Sequence, residues 1–131
     1  MNNFLRRRAG IIGAALLAAT AMTAIPAQAE GSWSSYITSW NSGNESRRWT
    51  DNHTDGDATT VSFSGCNIHS GSNAIQLELD RDISYWPDAT YGTRNNYCDT
   101  SSWGTMTDKG NFYFIDYHDG PIDVSSVYTA Y

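Results

Sequence analysis

The chain has 131 residues, 40% of them hydrophobic and 13% aromatic, and a net charge of −6. That length suits one domain with a modest core. The acidic balance repels phosphate backbones and anionic lipid, so neither nucleic acid nor a membrane surface is an expected partner.

Arg6, Arg7 and Arg8 precede an apolar run from Ala9 to about Ile25, and Ala27-Gln28-Ala29 follows. A basic start, a short greasy middle and an Ala-x-Ala end describe a secretory signal peptide. The run is short for a stable span of ~20 residues. Residues 1–29 are therefore expected to be removed, and the protein to be secreted from Glu30 onward. Arg47, Arg48, Arg81, Arg94 and Lys109 then face all fourteen acidic side chains, a net of −9. Such a surface steers toward a basic protein partner.

The next segment, 30–44, reads as an N-terminal arm or a short helix. Trp33, Tyr36, Ile37 and Trp40 have the i, i+3, i+4, i+7 spacing of a helical stripe, yet the Ser and Thr between them are weak helix formers. Read with period two, Tyr36, Thr38 and Trp40 share a face instead. From residue 45 to 131 alternation dominates. Glu45 to Thr50 is a candidate strand, and Thr59 to Phe63 places Val61 and Phe63 on one face. Ile75, Leu77 and Leu79 alternate with Gln76 and Glu78. Tyr85 to Trp103 has few aliphatic residues and reads as a long ordered loop. Phe112 to Ile115 reads as a strand buried on both faces. Ile122 and Val124 alternate, and Val127, Thr129 and Tyr131 continue on the opposite parity, which predicts a β-bulge at Ser125-Ser126. Asp55-Gly56, Ser70-Gly71, Pro87-Asp88, Lys109-Gly110 and Gly120-Pro121 punctuate these runs as turns. The fold class is all-β, a small antiparallel β-sandwich of about six to eight strands over 45–131.

Cys66 and Cys98 are the only cysteines. An even count in an exported chain predicts one disulfide between them, stabilising by roughly 3–4 kcal/mol in the chain-entropy account.

No catalytic or metal constellation emerges. Asp51, His53, Asp55 and Gly56 match the start of a calcium loop, but Ser62 stands where a bidentate Glu would close it; the stretch reads as a turn. His53, His69 and His118 lack zinc-ligand spacing. A ribonuclease would draw its acid, base and cation from Glu45, Arg47 or Arg48, and His53 or His118, but Tyr117-His118-Asp119-Gly120-Pro121 departs from the His-Tyr-x-Thr-Phe run of secreted guanyl-type ribonucleases. No G-x-S-x-G is present for serine hydrolysis. No enzyme activity, cofactor or metal is expected.

Aromatic content is the strongest positive signal: five Trp and eight Tyr. Phe63, Phe112, Phe114, Trp49 and Trp103 suit the core. The remaining rings exceed what so small an interior can hold, and surface Trp and Tyr mark interfaces. Trp33, Tyr36, Ile37 and Trp40 are the binding candidates, against the alternative that they close the end of the sandwich. Arg47 and Arg48, being successive strand residues, point opposite ways and suit a structural use. Two other uses of such a chain remain open: a glycan-binding module, with rings in a row on one flat face, and a small hydrolase or protease inhibitor, the latter with a rigid loop beside the disulfide.

The runs S-W-S-S-Y-I-T-S-W, E-S-R-R-W-T-D-N, T-T-V-S-F-S-G-C, D-I-S-Y-W-P-D, Y-C-D-T-S-S-W-G and G-N-F-Y-F-I-D resemble small secreted actinobacterial proteins, among them the adaptor subunit of Streptomyces umbrella toxin particles. The resemblance implies a non-enzymatic adaptor between a trypsin-like-fold lectin subunit and a repeat-containing toxin subunit, with residues 31–40 docking into a neighbour. A second resemblance, through Leu77-Glu78-Leu79-Asp80-Arg81-Asp82, is to βγ-crystallin-type proteins. Their calcium motif fails at the second position in Asn96-Tyr97-Cys98-Asp99-Thr100-Ser101, so no calcium is expected there.

Overall fold

The computed structural model describes residues 30–131, and the expected signal peptide lies outside them. Eight strands follow one another: β1 (Ser32–Trp40), β2 (Trp49–Asp51), β3 (Ala58–Ile68), β4 (Ile75–Arg81), β5 (Ala89–Asn96), β6 (Thr100–Thr105), β7 (Gly110–Asp116) and β8 (Ile122–Ala130). They form two four-stranded antiparallel sheets, ordered β1-β8-β3-β6 and β2-β7-β4-β5. The protein is an all-β sandwich with the expected Cys66–Cys98 disulfide. Among the described residues no helix is long and apolar enough to cross a membrane.

The core lies between the sheets. Val61, Phe63, Ile75, Leu77, Leu79, Ile122, Val124 and Val127 alternate inward along β3, β4 and β8, as period two dictates. Aromatic rings fill one end. Trp33 stacks on Phe114 at 6.1 Å between centroids, and Trp49 lies between Phe112 and Tyr131. Trp49, Phe63, Trp103, Phe112 and Phe114 are all buried, as their assignment to the core requires.

Three expected elements are corrected. Of the two readings of residues 30–44, the helix is absent and the extended one holds for Ser32–Trp40, but as β1, paired with β8, so that the sandwich begins at Ser32 rather than at 45. The apparent helical spacing has a β-sheet cause. Trp33 and Ile37 share the inward face at period two, and a register shift between Ile37 and Trp40, where Ser39 has φ 51°, turns Trp40 to the same side. Tyr85 to Trp103 is likewise no loop, since it contains β5 and β6. Both are edge strands and need few aliphatics, because single rings, Tyr91 and Trp103, fill their inward positions. Only the last residues of the expected Glu45–Thr50 strand are one. Before them Ser46 extends the pairing, donating its backbone N–H to the Phe114 carbonyl and accepting the Phe114 N–H on its hydroxyl.

The bulge expected at Ser125-Ser126 is present as a register shift between β1 and β8. The β3–β8 register runs through it unbroken, because β3 changes phase at the same level. Gly65, at φ 64°, sits where a Cβ would lie 2.7 Å from the Ser125 side chain.

The chain crosses between sheets at the β5–β6 corner. Asn96 is fully buried there and donates its two side-chain N–H groups to the Asp99 carbonyl and the Ser101 hydroxyl, with the Val61 carbonyl further off at 3.4 Å, while its own carbonyl accepts the Asp99 N–H. Cys98, at φ 62°, ties this corner to Cys66 of β3.

Candidate functional site: the β1 edge

The two flanks of the sandwich differ. On one, β5 and β6 meet across the corner, and side chains seal the seam. Trp103 Nε1 donates to the Gly92 carbonyl at 2.8 Å and Arg94 Nε to the Ser102 carbonyl at 3.1 Å. On the other, the edges are β1 and the three-residue β2, and a cleft of about 90 Å³ opens between β1 and Ser46-Arg47.

All four residues expected to bind a partner line this cleft. Their exposures divide them. Trp33 and Ile37 are buried floor, Trp40 is half-buried, and Tyr36 is 71% exposed at the rim. Trp33 thus partly closes the end of the sandwich, and its Nε1 is buried without a hydrogen-bond partner. The Arg47 guanidinium covers the Trp33 ring at 5.5 Å. Arg48 lies outside the cleft, in the irregular stretch before β2. It stacks on Tyr113 at 3.7 Å and pairs with Glu45 at 2.6 Å and Asp82 at 3.3 Å. Arg48 is structural, whereas Arg47 makes no ion pair among the described residues.

The backbone of β1 is as open as its side chains. Gly31 and Tyr131 exchange both hydrogen bonds, at 2.8 and 3.0 Å. In an antiparallel ladder such pairs alternate, so the amide and carbonyl groups of Ser32 and Ser34 face away from β8. From Gly31 to Asn44 no charged residue and no proline occurs. Charge and proline are usual protections of an edge strand, and both are missing here.

In the Asp51–Asp57 turn the carboxylates are engaged by the backbone. Asp51 and Asp55 accept the backbone N–H groups of His53 and Asp57, and Glu30 accepts those of Asn52 and Thr54. The Thr54 and Asn52 amides hold Glu30 down at about 2. Among the described residues no three His, Cys, Asp or Glu side chains converge as metal ligands.

The histidines have separate partners. His69 pairs with Asp123 at 2.7 Å. His118 is buried, with Nε2 2.6 Å from Ser70 Oγ at a polar groove. The neighbouring Asp116 carboxylate accepts the His118 backbone N–H rather than its ring, and burial raises its pKa. No Arg or Lys lines the groove, so the acid, base and cation of the ribonuclease reading are not assembled around His118.

Sequence reasoning missed the most exposed rings. Tyr85 and Trp86 are 103% and 76% exposed at the tip of the β4–β5 loop. Asp88 fixes the base of that loop by accepting the Ile83 N–H and the Tyr113 hydroxyl. The signal was two adjacent rings before Pro87, inside a turn. This loop lies at the opposite end of β5 from the disulfide, not beside it as the inhibitor reading requires.

No protein-family profile, curated protein or solved structure matches the chain.

Proposed function

We propose that this protein is a secreted, non-enzymatic binding domain whose partner is another secreted protein, gripped along the β1 edge. The observation that carries the reading is the contrast between flanks: one seam is sealed by side chains, and the other offers an uncharged nine-residue strand beside an aromatic cleft. An extended partner segment would continue the sheet through Ser32 and Ser34. It would also place an apolar side chain against Trp33, Ile37 and Trp40, under Arg47 and beside Tyr36. The net charge, −6 for the whole chain and −9 once residues 1–29 are removed, favours a partner with a basic surface and speeds encounter. The disulfide suits the oxidising space of an exported protein. The resemblance of the sequence to toxin-particle adaptors supports the finer form of the proposal, an accessory subunit of an extracellular antibacterial complex. Its neighbours would then be a trypsin-like-fold lectin subunit and a repeat-containing toxin subunit.

Ser34→Pro tests the reading. Proline removes an outward N–H but none of the bonds to β8, and edge strands tolerate it. The wild-type domain should capture a specific protein from the supernatant of the producing culture. With that protein purified, Ser34→Pro and Tyr36→Ala should each weaken binding at least about tenfold, or ~1.4 kcal/mol, while the thermal midpoint moves little. Equal affinity in both variants rejects the β1 edge as the interface.

A further inference from the structure

A second concavity lies where the β3–β4 turn meets the β7–β8 loop. It encloses about 440 Å³ and shares no lining residue with the β1 cleft. That volume falls within the ~300–1,000 Å³ usual for small-molecule sites. Six side chains give it chemistry: Ser70, Gln76, Asn95, Tyr117, His118 and Asp119.

Their arrangement is selective. Ser70 and His118 are locked together at 2.6 Å, with His118 nine-tenths buried, so one wall is a fixed polar pair. The amides of Gln76 and Asn95 and the carboxylate of Asp119 make no hydrogen bond within the described residues. They stand on different elements, β4, β5 and the β7–β8 loop, yet converge on one space. Tyr117 is 43% exposed beside them. Planar amides and a carboxylate bind vicinal hydroxyls in pairs, and a tyrosine face takes an apolar ring surface. An anionic ligand is disfavoured, because Asp119 is present and no Arg or Lys lines the groove. An apolar ligand is disfavoured too, since it would strip water from three amide or carboxylate groups without replacing it.

We infer that this groove is a binding site for a neutral sugar, seating one pyranose on Tyr117 with its hydroxyls toward Gln76, Asn95 and Asp119. The site is independent of the β1 interface and adds a second ligand class to the domain. Hydroxyl-to-amide bonds exchanged against water are individually weak, so a monosaccharide binds with a Kd on the order of 1 mM.

The test is a titration of the ¹⁵N-labelled, disulfide-intact protein with glucose, galactose, mannose and N-acetylglucosamine, followed by amide shifts. For at least one sugar, saturable shifts should centre on Gln76, Asn95 and Tyr117 to Asp119. Asn95→Ala and Tyr117→Ala should each weaken that sugar about tenfold, while Tyr117→Phe and Ser34→Pro retain it. Asp119→Asn, an exposed loop change with no fold consequence, should also weaken it. Absence of shifts with all four sugars at about fifty times the expected Kd overturns the inference. So do shifts centred on Tyr85 and Trp86, or affinity unchanged in Asn95→Ala and Asp119→Asn.

Discussion

Asp80 stands on the outer face of β4, 8% exposed, with Oδ1 lacking a hydrogen-bond partner. Burial, and then the charge of Glu78 two residues away, raise its pKa to about 6. A carboxyl raised in the folded state holds its proton there while the unfolded chain has lost it, so stability falls as pH rises from about 4 to about 6. Asp80→Asn should therefore stabilise the protein at pH 7, by about 1–2 kcal/mol, and the gain should vanish below pH 4. Urea midpoints at the two pH values check this. Asn96 is the opposite case, a buried polar group with every function used. Asn96→Ala strands the Asp99 carbonyl and N–H at the sheet crossing and should cost about 2–4 kcal/mol in urea unfolding.

At the scale of the strand, β1 and the β3–β8 pair explain each other. Gly65 and Ser125 face one another where both strands change phase, and β1 absorbs the shift on its own side. Gly65→Ala places a Cβ 2.7 Å from Ser125 in a left-handed conformation, so it should lose about 2–3 kcal/mol. Adding Ser125→Gly should restore the steric part, and a double-mutant cycle measures it. β1 carries Trp33 and Ile37 into the core. Deleting residues 30–40 therefore unfolds the domain rather than trimming an arm, visible as lost near-ultraviolet dichroism, and only point changes on the outward edge can probe binding.

For the whole molecule, the disulfide decides how far the modest core suffices. Cys66 and Cys98 are 32 residues apart, and their bridge ties β3 to the crossing between sheets. Cys66→Ser with Cys98→Ser should lower unfolding stability by roughly 3–4 kcal/mol, a large share of a small domain's ~5–15 kcal/mol. The urea slope should rise, because the uncrosslinked unfolded chain exposes more surface. The sandwich then has two unequal flanks, and the proposed protein interface and sugar groove occupy different concavities.

Sheet class, the disulfide, most of the aromatic core and the bulge at Ser125-Ser126 were legible in the order of residues. Each is a local matter of period, parity or count, and the physics that sets it acts over a few positions. That Trp33, Tyr36, Ile37 and Trp40 group together was legible, but their geometry was not, because a register shift in a strand mimics the spacing of a helix. β5 and β6 were hidden because edge strands bury too little to show alternation. The Ser70–His118 pair, the sealed and open flanks and the two grooves depend on contacts between residues dozens of positions apart. Only the packing of one sheet on the other brings those residues together.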